Sequence, residues 1–126
     1  MFRGIDAILL YSQDADKLAD FYKDKVGLDV TVMGEYGEEK EKVYTVKAGE
    51  SKQMAILHHS KVKGKNKEPE RYMINFEVKN IENAVEKLVK NKVKQIADIY
   101  HVEDYGKIAT FEDIDGNYFQ LVQVRA

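Results

Sequence analysis

The sequence predicts an α+β fold built from two βαβββ modules, and three observations predict it. The chain repeats itself at a spacing of 66 residues, the distance from Ala7 to Met73, so that Ala7-Ile8-Leu9-Leu10-Tyr11-Ser12-Gln13-Asp14 lies over Met73-Ile74-Asn75-Phe76-Glu77-Val78-Lys79-Asn80. Each of these apolar, strand-like segments runs into a helix start, with Asp14 or Asn80 placed to accept the orphan backbone N–H groups of the first turn. Each half then carries three further strand-like segments. Gly34, Gly37 and Gly49 punctuate the first set, and Gly106 and Gly116 the second.

In order along the chain, the first strand is followed by a helix whose Leu18, Phe21, Tyr22 and Val26 recur at helical spacing. Strands are expected near residues 28–33, 43–48 and 53–58. The Glu-Lys run 38–42 reads as a solvated strand edge or hairpin. Residues 60–71 are rich in Lys, hold the only Pro (Pro69) and show no apolar periodicity, which reads as an exposed crossing. The division is therefore one domain, 1–126, made of modules 1–60 and 72–126 joined by a linker, 61–71. The second helix shows Ile81, Ala84, Val85 and Leu88 in the same rhythm as the first. Strands follow near 93–100, 107–112 and 118–124. Between the last two, Asp113-Ile114-Asp115-Gly116-Asn117 marks a tight turn, since Gly accepts positive φ without steric cost and Asp and Asn tolerate it. The aromatic and β-branched residues after it suit a closing strand.

Composition narrows the function classes. A chain of 126 residues, 44% hydrophobic and 33% charged, can bury a core without disulfide or metal staples. No apolar run is long enough for a transmembrane helix, and the N-terminus lacks the apolar stretch of a signal peptide, so no membrane partner and a cytoplasmic location are expected. The absence of Cys excludes disulfides, thiol catalysis and thiolate metal sites. A net charge of -2 argues against nucleic acid as a partner.

Strand alternation sorts the residues by face. Ala7, Leu9 and Tyr11 share one face of the first strand, with Ile8 and Leu10 on the other. Met73, Asn75 and Glu77 share the equivalent face in the second module, and Tyr118, Gln120, Val122 and Val124 that face of the last strand. Two such modules pair their sheets into a curved ligand trough with apolar walls and a few polar anchors. Tyr44, Tyr100 and Tyr105 are candidates to add aromatic area to it. Leu9, Val122 and Val124 fit core or a dimer seam better than a ligand site.

The residues also carry a resemblance. Asp14 to Leu28, with its aromatic pair Phe21-Tyr22 before the helix end Val26-Gly27-Leu28, the strand Ile74-Asn75-Phe76-Glu77-Val78, and the closing segment from Phe111 to Val122 resemble the vicinal oxygen chelate superfamily of glyoxalases, bleomycin-resistance proteins and extradiol dioxygenases. The resemblance covers almost the whole chain and implies that family's fold. The family's catalytic members hold a divalent metal, commonly through a His at the position of Ala7, a His at that of Met73 and a Glu at that of Gln120; the spacing of 66 puts Met54 opposite Gln120 in the first module. Ala offers no lone pair, a thioether is a weak ligand and neutral Gln offsets no charge, so these residues would not hold Zn²⁺, Fe²⁺ or Ni²⁺ tightly.

Three histidines remain. His58 falls on the face of Met54 and Ile56, His59 on that of Ala55 and Leu57, and both read as a solvated strand end; His101 reads as a loop residue. A relocated metal site from His58, His101 and Glu77 or Glu112 has no spacing signature, and His59 completes the histidine set. No phosphate-cradling glycine loop, nucleophile elbow or basic-aromatic strip is present. Glu77 in a partly apolar trough would have a raised pKa suited to proton transfer, but alone it assigns no catalysis. The resemblance then implies a metal-independent, non-catalytic binder of a small organic molecule, like the bleomycin-resistance branch and homodimeric. Its contacts would be Ala7, Tyr11, Met73, Asn75, Glu77, Tyr118 and Gln120, with no cofactor. The alternatives are a metal-dependent glyoxalase-like lyase or dioxygenase with rearranged ligands, and a regulatory or interaction protein whose trough is filled by side chains.

Overall fold

The computed structural model describes residues 1–124, apart from the side chains of residues 36, 52 and 53; residues 125 and 126, which the sequence reading includes in the second module, lie outside the described part. The chain divides between Gly64 and Lys65 into two compact units. Each is a four-stranded mixed sheet with one helical segment, and the element order is βαβββ twice over.

In the first unit β1 (Ile8–Ser12) leads to α1 (Ala15–Asp20), which runs on into a π-helical stretch, Phe21–Val26. Strands β2 (Asp29–Tyr36), β3 (Glu41–Ala48) and β4 (Ser51–His58) follow. The sheet order is β1-β4-β3-β2, with β1 parallel to β4 and the remaining pairs antiparallel. Asp14 caps α1, its carboxylate accepting the N–H of Lys17 at 3.1 Å. The helix closes where the N–H of Gly27 reaches back to the carbonyl of Tyr22, the wide turn that the sequence does not announce. Gly34 does not end β2 as expected; the strand passes through it, with an irregular register between Val32 and Gly34.

In the second unit β5 (Ile74–Glu77) leads to α2 (Ile81–Lys90), then β6 (Lys94–Val102), β7 (Gly106–Glu112) and β8 (Tyr118–Val124), in the order β5-β8-β7-β6. Asn80 caps α2 through the N–H of Asn83 at 2.9 Å. One further helix N–H, that of Ile81, donates to Oε1 of Gln123 on β8 at 2.8 Å, so the sheet itself completes the helix start.

Alternation places the core where each helix lies on its sheet. Leu18, Ala19, Phe21 and Tyr22 are buried in the first unit together with Val46, Met54 and Ile56. In the second, Ile81, Val85 and Leu88 are buried together with an aromatic row in which Phe119 stands 5.9 Å from Phe76 and 6.0 Å from Phe111 between ring centroids.

The signature turn is a hydrogen-bonded structure in its own right. Asp113, only 3% exposed, accepts the N–H groups of Asp115 and Asn117 on Oδ1, both at 2.9 Å, and the side-chain amide of Asn117 on Oδ2 at 3.0 Å. Gly116 takes φ 78° in this turn. The predicted crossing is exposed over most of its length, and part of it is fastened to the same turn. The N–H of Asn66 donates to the carbonyl of Asp115 at 2.7 Å, and the Asn66 amide donates to Oδ1 of Asn117 at 3.0 Å.

Candidate functional site

The register of the second sheet assembles most of the predicted site residues. Asn75 of β5 lies opposite Gln120 of β8, and Glu77 lies opposite Val122. Gln120 in turn lies opposite Thr110 of β7, and Tyr118 opposite Glu112. Since Phe76, Phe119 and Phe111 occupy the alternate positions under α2, residues 75, 77, 118, 120 and 122 share the face of the sheet turned away from the helix. Met73 stands just before β5, exposed. Tyr100 joins this face opposite Ile108, and Tyr105, in the β6–β7 turn, brings its hydroxyl to 3.4 Å from the amide nitrogen of Asn75.

The polar groups of this face are partly committed. The amide nitrogen of Gln120 donates to Oγ1 of Thr110 at 2.9 Å, and that of Asn75 donates to Tyr105. One N–H of each amide is therefore engaged within the second unit, while each amide retains a carbonyl oxygen as acceptor. Thr110 is only 5% exposed and was not singled out in the sequence; the cross-strand pairing that makes it Gln120's partner is a tertiary fact.

The remaining two predicted residues belong to the first unit. Ala7 precedes β1 and is exposed; Tyr11 lies on β1, exposed, with its ring edge-on to His59 at 5.2 Å. Leu9 is opposite Ala55 and Tyr11 opposite Leu57, whereas Met54 is opposite Ile8 and buried. The first-module counterpart of Gln120 is thus Ala55, and the expected Met54 belongs under α1. Between the helix and the last strand the second module is one residue shorter than the first, and a slip of one residue reverses the face.

Tyr44 is likewise corrected. It pairs with Ile56 on the helix side of the first sheet, and its hydroxyl donates to the carboxylate of Asp16 on α1 at 2.5 Å. Burial first, then that hydrogen bond and the negative charges of Asp16, Asp20 and Asp14, push its phenol up to about 12.

The histidines do not assemble. His58 stands opposite Ser12 with Nε2 3.6 Å from Glu41, and His59 accepts the N–H of Lys61 on Nδ1. His101 is not in a loop: it is a β6 residue opposite Lys107, whose ammonium meets Glu82 of α2 at 2.8 Å. It therefore lies on the helix side of the sheet, and Glu77 and Glu112 lie on the other. Among the described residues no three His, Asp or Glu side chains are grouped so as to hold a metal ion. A groove of about 280 Å³ in the first unit is lined by Asp14, Asp16, Glu39, Lys40, Glu41 and His58, mixed in charge and apart from the predicted residues.

These two βαβββ units carry a sequence that matches the family description Glyoxalase/Bleomycin resistance protein/Dioxygenase superfamily over residues 4–121. The chain belongs to that superfamily. It is 28% identical over 121 residues to the uncharacterized protein YetH of Bacillus subtilis (strain 168), across 96% of this chain and 98% of that one. Among solved structures, a glyoxylase/bleomycin resistance protein/dioxygenase domain from Frankia sp. EAN1pec superposes with TM-score 0.78 at 15% identity, covering 99% of this chain and all of the other. TnmS3, an antibiotic binding protein from Streptomyces sp. CB03234, superposes with TM-score 0.73 at 16% identity, covering 98% of each chain. At these identities the two structures establish the shared fold.

The superfamily's metal does not fit the residues present at the positions where the resemblance placed its ligands. Ala7 has no donor atom, Met73 offers a thioether, and Gln120 is uncharged with its amide nitrogen bound to Thr110. Ala55, now at the first-module equivalent of Gln120, adds no ligand. Such a set supplies neither imidazole nor carboxylate to a dication.

Proposed function

We propose that this superfamily member binds a small organic molecule without a metal and without transforming it. The observation that carries this reading is the pair Gln120–Thr110. At the position where the family's metal-binding Glu would stand, a neutral amide is held by its neighbour, leaving a hydrogen-bonding anchor. Apolar and aromatic side chains beside a few oriented polar groups are the usual composition of a small-molecule site. In this reading Asn75, Glu77, Tyr118 and Gln120 supply polar contacts on the second sheet and Met73 an adaptable thioether wall. The fold it shares with an antibiotic binding protein supports capture as the benefit conferred. We assign the protein to the cytoplasm as a homodimer forming a single functional domain per chain.

The test is an equilibrium titration of chelator-stripped protein with Zn²⁺, Ni²⁺ and Fe²⁺, run beside a thermal-shift screen of small aromatic and heterocyclic molecules. No stoichiometric metal binding, together with hits whose effect is lost in Gln120→Ala and Asn75→Ala, is the expected result. Metal binding at micromolar affinity or tighter would overturn the reading. Sedimentation equilibrium checks the dimer.

A further inference from the structure

The charge on the helix-free face of the second sheet is one-sided. The charged residues that register places there are Glu77 on β5, Lys94 on β6 and Glu112 on β7. Two of the charged groups cancel, since Lys94 lies 3.6 Å from Glu112. Among the described residues Glu77 is then the charged side chain of this face with no ion pair, and it is exposed.

Its neighbours reinforce the asymmetry. Asn75 stands two residues away on the same strand face, and Gln120 lies directly opposite Asn75. Both amides have a nitrogen engaged within the protein, by Tyr105 and Thr110, and each keeps a carbonyl oxygen able to accept a hydrogen bond. Two amide oxygens and one carboxylate therefore occupy adjacent register positions, with Tyr118 on the same face of β8 and Tyr105, in the β6–β7 turn, against Asn75. Three acceptors match the three N–H donors of a primary ammonium, which carries no acceptor of its own. Aromatic faces favour a cation further. An anion would meet the Glu77 carboxylate, while Lys94, the cation that register places on this face among the described residues, is paired with Glu112.

We infer that the ligand is an amine, held as its ammonium ion by Glu77 with Asn75 and Gln120, so that Glu77 sets selectivity for cationic over neutral and anionic molecules. This rests on the small-molecule reading above and narrows it to a ligand class.

Three probes of one shape separate the possibilities: 2-phenylethylamine, 2-phenylethanol and 3-phenylpropionate, each titrated at low salt and followed by amide chemical shifts. The amine is expected to bind about five-fold more tightly than the alcohol, the scale of a partly solvated charge pair, and the carboxylate more weakly than either. Glu77→Gln should abolish the preference for the amine over the alcohol. An amine preference that survives in Glu77→Gln, or a carboxylate that binds as well as the amine, overturns the inference but leaves a binding site in place. Failure of all three probes at millimolar concentration with no shift at residues 75, 118 or 120 overturns the binding-site reading itself, and this inference with it.

Discussion

The backbone N–H of Ile81, the first residue of α2, donates to the side-chain oxygen of Gln123 on β8 at 2.8 Å. A helix start and the closing strand, far apart in sequence, are thus joined by one hydrogen bond to a buried residue, since Ile81 has no exposed surface. Removing the acceptor leaves that N–H without its partner. Gln123→Ala should cost about 1–2 kcal/mol, the penalty of a stranded backbone donor, read from the urea midpoint at unchanged slope. Gln123→Glu keeps the acceptor and adds a negative charge at a helix N-terminus, so it should recover most of that loss.

The turn built on Asp113 predicts a larger effect. Its carboxylate accepts three N–H groups while 3% exposed. Asp113→Ala should destabilise the protein by about 2–4 kcal/mol, because the turn donors lose a charged acceptor at once. Asn66→Ala, which removes only the tie from the crossing to Asn117, should cost about 1 kcal/mol. Thermal unfolding of both variants checks the order.

Gly106 opens β7 with φ 150°, and a methyl group there would collide with the carbonyl oxygen of Gln123. Gly106→Ala therefore adds steric overlap to an unfavourable backbone conformation. The expected outcome is a loss of at least about 2 kcal/mol, the range for overpacking against rigid backbone, with hydrogen-exchange protection falling first at the β7–β8 pairing.

Tyr44 predicts a pH dependence. Its phenol is raised from 10.0 to about 12 in the folded protein, by burial and by the Asp16 carboxylate it donates to. A raised folded value means the contribution is fully present below the unfolded pKa and is lost as pH rises through the folded one. Stability should fall between pH 10.0 and about 12, and Tyr44→Phe should reduce that slope. Denaturant melts across this window, with phenolate absorbance of the two proteins compared, measure it directly.

Restoring one carboxylate should not restore a metal site. Gln120→Glu supplies an anion while Ala7, Met73 and Ala55 still offer no imidazole or carboxylate. Zn²⁺ affinity should remain weaker than about millimolar, far from the range of a three-ligand site. Isothermal titration of the variant decides it.

Local chemistry determined the helix starts at Asp14 and Asn80, the closing turn at Gly116 and the sorting of Asn75, Glu77 and Gln120 onto one face, because capping, turn geometry and alternation act over a few residues. The βαβββ repeat was legible for the same reason, and so was the family, whose positions 7, 73 and 120 carry their departures in plain letters. Cross-strand register was not legible. A spacing of 66 residues fits the first strands and helices, but the later strands keep step at 65, the distance from Ala55 to Gln120, and only pairing in the folded sheet reveals the slip. That single residue moved Met54 beneath α1 and brought Ala55 to the helix-free face of the first sheet, while the pairing of β3 turned Tyr44 toward Asp16. The partners of the site residues were decided by tertiary structure alone. Thr110 for Gln120, Tyr105 for Asn75 and Gln123 for Ile81 all depend on which strand lies beside which, and a hydrogen bond exists only where backbone pairing brings donor and acceptor within about 3 Å.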